Sequence, residues 1–411
     1  MNADALRRWL AEPRTAAYRF PVHAVIDAYQ HYGKHSVPAE WTVLLRCARD
    51  RLPEVPDPNE LLATLLNILL DKSDGRFDYR SYLALPLIPI PDPDDSPQPA
   101  HRLLARRDRL HTLLLTDLIA FELRALDTTS APLPLQRPDL ALVTKRLRHA
   151  VRAATPALRR LSFVIPDAGS PLTNARRLAA SVAISQGTSA QQMLRTTMLP
   201  VSRVHDEWMF IRVLQTFELT FGLLAVDLAA IITAAQGGQL PTVGVRLSFA
   251  AALLRETTPL WSLLATLQPA AFHSFRVHTD GASAIQSRAY KLCESLCRTP
   301  DPDRLHSAAY LSVPDVQARI SSGQATIADL LAAIHSDERT VAEQPVLADG
   351  LREFTAAVHQ WRRTHYRLAV RMLGTDQRGT GNTPGTSYLL RSRDTPLFEG
   401  PDATDPSQAS R

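Results

Sequence analysis

The sequence predicts an all-α protein, a helical bundle, and three observations carry that expectation. Glycine is scarce, 16 in 411 residues, while alanine, leucine and arginine, the strong helix formers, recur throughout. No segment alternates apolar and polar residues at period two between turn signals, so few or no strands are expected. Long stretches instead repeat apolar residues at spacings of three and four, the helical signature. A hydrophobic content of 45% with 21% charge supplies a core and excludes global disorder.

Taken in order, residues 1–74 read as an N-terminal helical extension, followed by a tyrosine-bearing segment at 75–86. Thirty prolines punctuate the chain. The densest run, Pro86 to Pro99 (PLIPIPDPDDSPQP), reads as an extended, solvated connector. It opens a proline-bounded helical insertion, 87–190, in which the spacing predicts arginine-rich amphipathic helices over 101–128 and 139–162. Prolines at 132–138, Pro166 and Pro171 mark the breaks. A core follows at 191–395. Its first long helix, 205–236, carries Phe210, Leu214, Phe217, Phe221, Leu224, Leu228 and Ile231 on one stripe. Asp206 and Glu207 fall in its first turn, where the helix dipole favours negative charge. Capping accounts for His205-Asp206-Glu207 better than metal binding, because neighbouring residues on a helix point apart. Further helices are expected over 282–298, before a break at 299–302, and over 351–374. The tail, 396–411, reads as disordered.

Composition also narrows the function classes. Three cysteines, an odd number, build no disulfide framework and suit a reducing cytoplasm. Cys293 and Cys297, four apart on one helix, read as core or groove-lining thiols. The formal charge of +5 is spread along the chain, and the basic stretches at 101–112 and 145–160 lack interleaved aromatics. They read as solvated helix faces, with no nucleic-acid partner expected. No segment approaches the roughly 18 uncharged apolar residues of a membrane span, and the N-terminus lacks a secretory pattern. A cytoplasmic protein is expected. No Gly-x-Ser-x-Gly elbow, P-loop or dinucleotide fingerprint is present.

Three features are left that carry chemistry. On the last helix Phe354, Val358, Trp361, His365, Leu368 and Met372 share a seam, which places an imidazole among apolar neighbours. It is either a hydrogen-bonded core histidine or a ligand to a cofactor held between helices. Directly after comes LGTDQRGTGNTPGTSYL, Leu373 to Leu389, with glycines at 374, 379, 381 and 385. It is either a helix cap and ordinary turn or a loop whose backbone approaches a ligand, with Thr380 and Thr383 offering hydroxyls. Thirdly, Arg276 stands among aromatic and small residues. It serves either a structural ion pair or a two-pronged grip on a carboxylate.

Together these segments resemble the tryptophan 2,3-dioxygenase superfamily, the haem-dependent aromatic amino-acid oxygenases. The likeness runs in order along the chain. Gly75 to Leu85 (GRFDYRSYLAL) resembles the family's Tyr-x-x-Tyr-Leu segment. Leu199 to Leu219 (LPVSRVHDEWMFIRVLQTFEL) is similar to its Pro-x-Ser, His-Asp-Glu and Phe-Ile stretch. Phe275 to Glu294 resembles its Phe-Arg, Ser-Gly-Phe-Gln-Ser, Tyr-Arg, Glu stretch, and Trp361 to Leu389 its Trp-Arg-x-x-His helix with Gly-Thr-Gly-Gly and Tyr-Leu.

The resemblance implies haem b with His365 as axial ligand to iron, and Tyr290, Trp361 and Ser283 on the cofactor side. It implies Arg276 and Thr380 as binders of an amino-acid substrate, with Phe210 lining the pocket. Tyr79 and Tyr82 match tyrosines that reach a neighbouring subunit's site, which implies a homo-oligomer, a dimer or tetramer. The sequence departs from the pattern at Leu214, which stands where the family has a distal histidine. It departs again at Ala284 and Asn382, where the family has glycines. With Phe210 and Ser283, Leu214 and Ala284 are the positions expected to shape catalysis. Residues 1–74 and 87–190 have no counterpart in compact members. The implied function is oxygenation of the indole of L-tryptophan or a derivative, one or two oxygen atoms being inserted from dioxygen. The alternatives are hydroxylation of a tyrosine-type amino acid with dioxygen or peroxide, and a non-catalytic haem- or ligand-binding subunit.

Overall fold

The computed structural model describes residues 2–12, 17–55, 59–127, 132–163, 169–335, 344–375 and 385–398. It is all-α: no strand occurs among the described residues, and one isolated bridge joins Leu135 and Val204. In chain order the helices are α1 (Asp4–Ala11), α2 (Val22–Tyr32), α3 (Ala39–Arg51), α4 (Glu60–Leu69) and the single turn α5 (Tyr79–Tyr82). Then come α6 (Ala100–Asp127), α7 (Leu140–Arg160), α8 (Pro171–Ser185), α9 (Thr188–Thr196), α10 (Asp206–Gln236), α11 (Leu240–Arg255), α12 (Thr258–Leu264) and α13 (Pro269–Arg276). The last are α14 (Arg288–Cys297), α15 (Pro302–Leu305), α16 (Ala308–Leu311), α17 (Pro314–Ser321), α18 (Ile327–His335), α19 (Pro345–Leu373) and α20 (Thr386–Asp394). Side chains set several starts: Asn59 accepts from the amides of Leu61 and Leu62, and Asp139 from that of Leu142. Two compact units result, one of residues 1–89, 108–216 and 262–284, the other of 90–107, 217–261 and 285–411.

In the first unit, α1 to α4 build a hydrophobic cluster around Trp9, Phe20, Tyr29, Trp41 and Leu45 that also takes in Leu199. The turn after α2 ties it to the approach of α10. Lys34 N–H donates to the Pro200 carbonyl and His35 N–H to that of Val201. Gly33, at φ +74°, makes this possible, because a Cβ there would sit 2.9 Å from the Ser202 backbone.

Helix α10 is buried almost all round. It is long and apolar enough by composition to cross a membrane, contrary to the expectation that no segment is, but most of that apolar stretch is buried inside the protein. Its polar residues are therefore spoken for. Arg146 of α7 donates to Glu122 at 3.1 Å, to Asp206 at 2.7 Å and to the Thr266 carbonyl at 3.1 Å. His205 pairs with Glu122 at 3.1 Å. Asp117 of α6 accepts from Arg212 at 2.7 Å and from the Trp208 indole at 3.1 Å. Gln215 donates to the carbonyls of Leu83 and Thr197. The capping role expected of His205, Asp206 and Glu207 is thus replaced by a buried network. An isolated buried charge is too costly to leave in place.

The basic stretches 101–112 and 145–160 do present solvated residues, among them Arg102, Arg109, Arg148 and Arg152, but two of their arginines are exceptions. Arg107 and Arg146 are fully buried, Arg107 donating to Thr220 at 2.8 Å. The connector at 86–99 is also less solvated than expected: Ile88 and Pro91 are buried. Gly222 admits this stretch, since a Cβ would lie 2.6 Å from the Pro91 carbonyl. The helix expected from 282 begins at Arg288, because a 3₁₀ turn at 284–286 precedes it and Ser287 caps it by accepting from Tyr290 N–H.

In the second unit, α19 is held against α11 where Gly244 and Gly350 face each other. A Cβ on either would overlap the other helix's backbone, so only glycine allows this closeness. Replacing Arg146 by Met strands two buried carboxylates. Arg146→Met is expected to lower stability by about 3–5 kcal/mol, read as a shift in denaturation midpoint; a loss under about 1 kcal/mol would show the network to be dispensable.

Candidate functional site

The candidate residues fall in both units. In the second, α19 presents Trp361 and His365 one turn apart, and they meet Trp261 in the middle of α12. The His365 ring lies 5.3 Å from that of Trp261 at an interplanar angle of 29°, and 5.2 Å from that of Trp361 at 63°. Tyr290 stacks on Trp361 at 5.2 Å, and Phe221 meets both edge-on. The indole N–H groups of Trp261 and Trp361 are buried and donate to nothing among the described residues.

His365 combines two properties that rarely go together. Its surface is only half-buried, yet desolvation pushes its pKa down to about 4. An apolar cage that leaves one side of the ring open explains both, and it keeps the imidazole neutral, as a metal ligand must be. No group of three or more His, Cys, Asp or Glu that could hold a metal ion occurs among the described residues. A single imidazole donor does not hold a bare ion, but it suits iron already chelated by a porphyrin. The residues present therefore fit a haem.

Behind Trp361 and Tyr290 lies a cavity of about 30 Å³, lined also by Phe221, Cys293, Cys297 and Phe354. It has room for a water-sized molecule, not for a macrocycle. Beside it sits a charge cluster that sequence reasoning missed. Lys291 donates to Glu294 at 3.0 Å and Arg304 to the same carboxylate at 2.5 Å, while Arg362 lies 3.7 Å away. Burial pushes the Glu294 carboxyl up, but the three cations outweigh it and hold it well below the usual range. Arg362 also donates to the Tyr290 hydroxyl at 3.4 Å, so this cluster fixes the ring that stacks on Trp361. Lys291 and Glu294 are an i,i+3 pair that helical spacing could have found, but nothing in a single sequence brings Arg362 to them.

In the first unit, Phe210 and Leu214 are the only residues of 204–225 that are not buried. They stand one turn apart on α10, so both open onto the same side of the helix. Phe210 packs against Phe272 and Phe275 of α13, at 5.8 and 5.3 Å, and α13 ends in Arg276. That guanidinium is half-buried, and burial works against its charge. Ser283 and Ala284 follow, Ala284 opening the 3₁₀ turn. Thr380, Thr383 and Asn382 lie outside the described residues. Trp261 was not expected; its only sequence signal is its rarity, one of five tryptophans.

Tyr79 and Tyr82 are buried within their own unit. The Tyr82 hydroxyl lies 3.3 Å from Glu207, which also accepts from the amides of Val201, at 2.7 Å, and Ser202, at 3.0 Å, and from the Ser202 hydroxyl. Desolvation raises Glu207 to about 7 against these hydrogen bonds.

Comparison with known proteins bears on this arrangement. The family model described as tryptophan 2,3-dioxygenase matches residues 182–312. A tryptophan 2,3-dioxygenase of Paraburkholderia phytofirmans is 26% identical over 235 residues, 48% of this chain and 76% of that protein. Those of Bacillus thuringiensis and a Ruegeria species are each 28% identical, over 47% and 48% of this chain and 81% and 82% of theirs. Over about half of its length, then, the chain is similar to tryptophan 2,3-dioxygenases. The stretch matched by the tryptophan 2,3-dioxygenase model contains Phe210, Leu214, Arg276, Ser283, Ala284 and Tyr290. Tyr79, Tyr82, Trp361 and His365 lie outside it.

The Glu207 pKa sets a pH dependence. A carboxyl raised in the folded state contributes stability that is full below its unfolded value, near 4.5, and is lost as pH rises through about 7. Between pH 5 and 8 the wild-type protein is expected to lose up to about 3 kcal/mol from this group. Glu207→Gln removes that component, and parallel pH profiles of the denaturation midpoint for the two proteins would contradict the assignment.

Proposed function

We propose that this chain is a haem-dependent oxygenase of an aromatic amino acid of the tryptophan class, and that His365 would hold the iron of haem b. The observation that carries the reading is the neutral imidazole of His365, half-buried and packed against the rings of Trp261 and Trp361. Similarity to proteins named tryptophan 2,3-dioxygenase supports it.

When bound, the haem supplies the activation of dioxygen. The protein's own residues do the rest. Trp261 and Trp361 fix the plane of the His365 ring, and the Glu294 cluster fixes Tyr290 behind Trp361. Arg276 grips the substrate carboxylate through two parallel hydrogen bonds, with Thr380 as its helper. Phe210 and Leu214 form an apolar wall that packs the aromatic ring and excludes water. By the family resemblance, Ser283 would stand on the side of the cofactor.

Leu214 decides the finer specificity. A leucine accepts no hydrogen bond, so an indole N–H turned toward it is left unpaired at a cost of about 1–3 kcal/mol. A substituted indole, or a ring presented differently, avoids that cost. The same wall suits a tyrosine-type ring hydroxylated with dioxygen or peroxide, which is the second reading. We also propose that the protein is cytoplasmic and works as a homo-oligomer, with 87–190 an insertion in a smaller oxygenase core.

Reconstitution with hemin is expected to produce a Soret band in the wild-type chain and none in His365→Ala. A variant that keeps its haem would remove His365 as the ligand. In the loaded protein, L-tryptophan, ring-substituted tryptophans and L-tyrosine are to be screened for shifts of the ferric spectrum and for turnover with dioxygen and with peroxide. Substituted tryptophans are expected to respond most strongly; response only to L-tyrosine would favour the second reading, and binding without any turnover a non-catalytic haem protein. Arg276→Gln is expected to weaken amino-acid binding roughly 30-fold or more.

A further inference from the structure

The loop that joins Arg276 to Ser283 is clasped by the N-terminal part of the chain at three separate points. The His278 ring lies against that of His35, centroids 4.2 Å apart and planes 33° apart. Asp280 forms an ion pair with Lys72. Gly281 lies so close to Phe77 that a Cβ would sit 3.1 Å from its carbonyl, while the Lys72 ammonium stands 5.0 Å over the Phe77 ring. Asp280 itself is held at φ +54°, a left-handed conformation that a non-glycine residue adopts at a cost.

The clasping residues are themselves anchored. Lys34, next to His35, is buried in an ion pair of 2.7 Å with Asp71, next to Lys72. His35 N–H donates to the Val201 carbonyl. The loop's near end is stitched to Arg276: the Thr279 hydroxyl and amide both donate to the Arg276 carbonyl, at 2.8 and 3.1 Å. Force on the loop is therefore transmitted to the last turn of α13.

We infer that Lys72, His35 and Phe77 are positioning residues that set the placement of Arg276 through the 277–283 loop, so that the N-terminal segment governs how tightly a substrate carboxylate is held. The inference rests on the reading of Arg276 as the carboxylate binder. It assigns the extension a role in affinity for the amino acid and not in the chemistry.

The test uses the full-length haem-loaded chain with Lys72→Met, which keeps the stem and removes the charge, and Lys72→Arg, which keeps both. Binding of L-tryptophan, its best ring-substituted analogue and tryptamine, which lacks the carboxylate, is followed by the ferric haem spectrum. Lys72→Met is expected to weaken the amino acids about 10-fold, to leave tryptamine within two-fold, and to raise KM while kcat at saturation holds. Lys72→Arg is expected to recover most of the loss. Hydrogen exchange in the 277–283 peptide is expected to quicken in Lys72→Met alone. If the wild-type protein responds and a folded Lys72→Met binds the amino acids equally well, or loses tryptamine to the same degree, the positioning role is wrong. If no amino acid perturbs the wild-type spectrum while tryptamine does, the carboxylate reading of Arg276 falls, and this role with it.

Discussion

The constraint on which much else depends is the burial of α10. A helix covered on nearly every side cannot leave a polar group without a partner, and this one brings Asp206, Glu207, Arg212 and Gln215 inside. Each draws another segment to it: α7 through Arg146, α6 through Asp117 and Glu122, the 194–202 approach through backbone amides and carbonyls, and Leu83 through its carbonyl. Against this background the two half-open residues, Phe210 and Leu214, stand out as a purposeful exception. They are apolar, one turn apart, and free of the network, which is what a wall facing a ligand requires.

The second unit solves a different problem. Among the described residues its imidazole has no carboxylate partner, and burial disfavours its charge. That environment would be a poor one for an acid–base histidine working near pH 7 and a good one for a metal ligand. The glycine pair Gly244 and Gly350 lets α19 lie close against α11, and the Glu294 cluster braces the far side of Trp361 through Tyr290. Charge and packing thus act on the ring cluster from the side of Trp361 and Tyr290.

Much of the fold was legible in the sequence because helices announce themselves locally. The three-and-four spacing located α6, α7 and α10 to within a residue or two and missed only the first turns of α19, while of the seam expected to be buried Phe354 and Met372 are buried and Val358, Trp361, His365 and Leu368 are half-buried. The errors share one cause. Arg107 and Arg146 were assigned to water, and Asp206 and Glu207 to capping, because a charged residue's fate depends on whether a partner of opposite sign arrives from elsewhere. Glu122 and Asp206 are 24 and 60 residues from Arg146, and no periodicity links them. The late start of α14 has a similar origin, since a capping serine and a tight turn outweigh the apolar spacing before them.

By itself the sequence determined the helical class, the apolar stripes, the likeness to tryptophan 2,3-dioxygenases and the departure from their pattern at Leu214. These are properties of local spacing and residue identity, which survive in one dimension. Only the tertiary structure decided that His365 is caged by Trp261, that Tyr82 is spent on Glu207, that Glu294 is outnumbered by cations, and that His35, Lys72 and Phe77 clasp the loop after Arg276. Those depend on packing and desolvation between distant segments. Both are set by which surfaces meet, and a linear pattern does not record that.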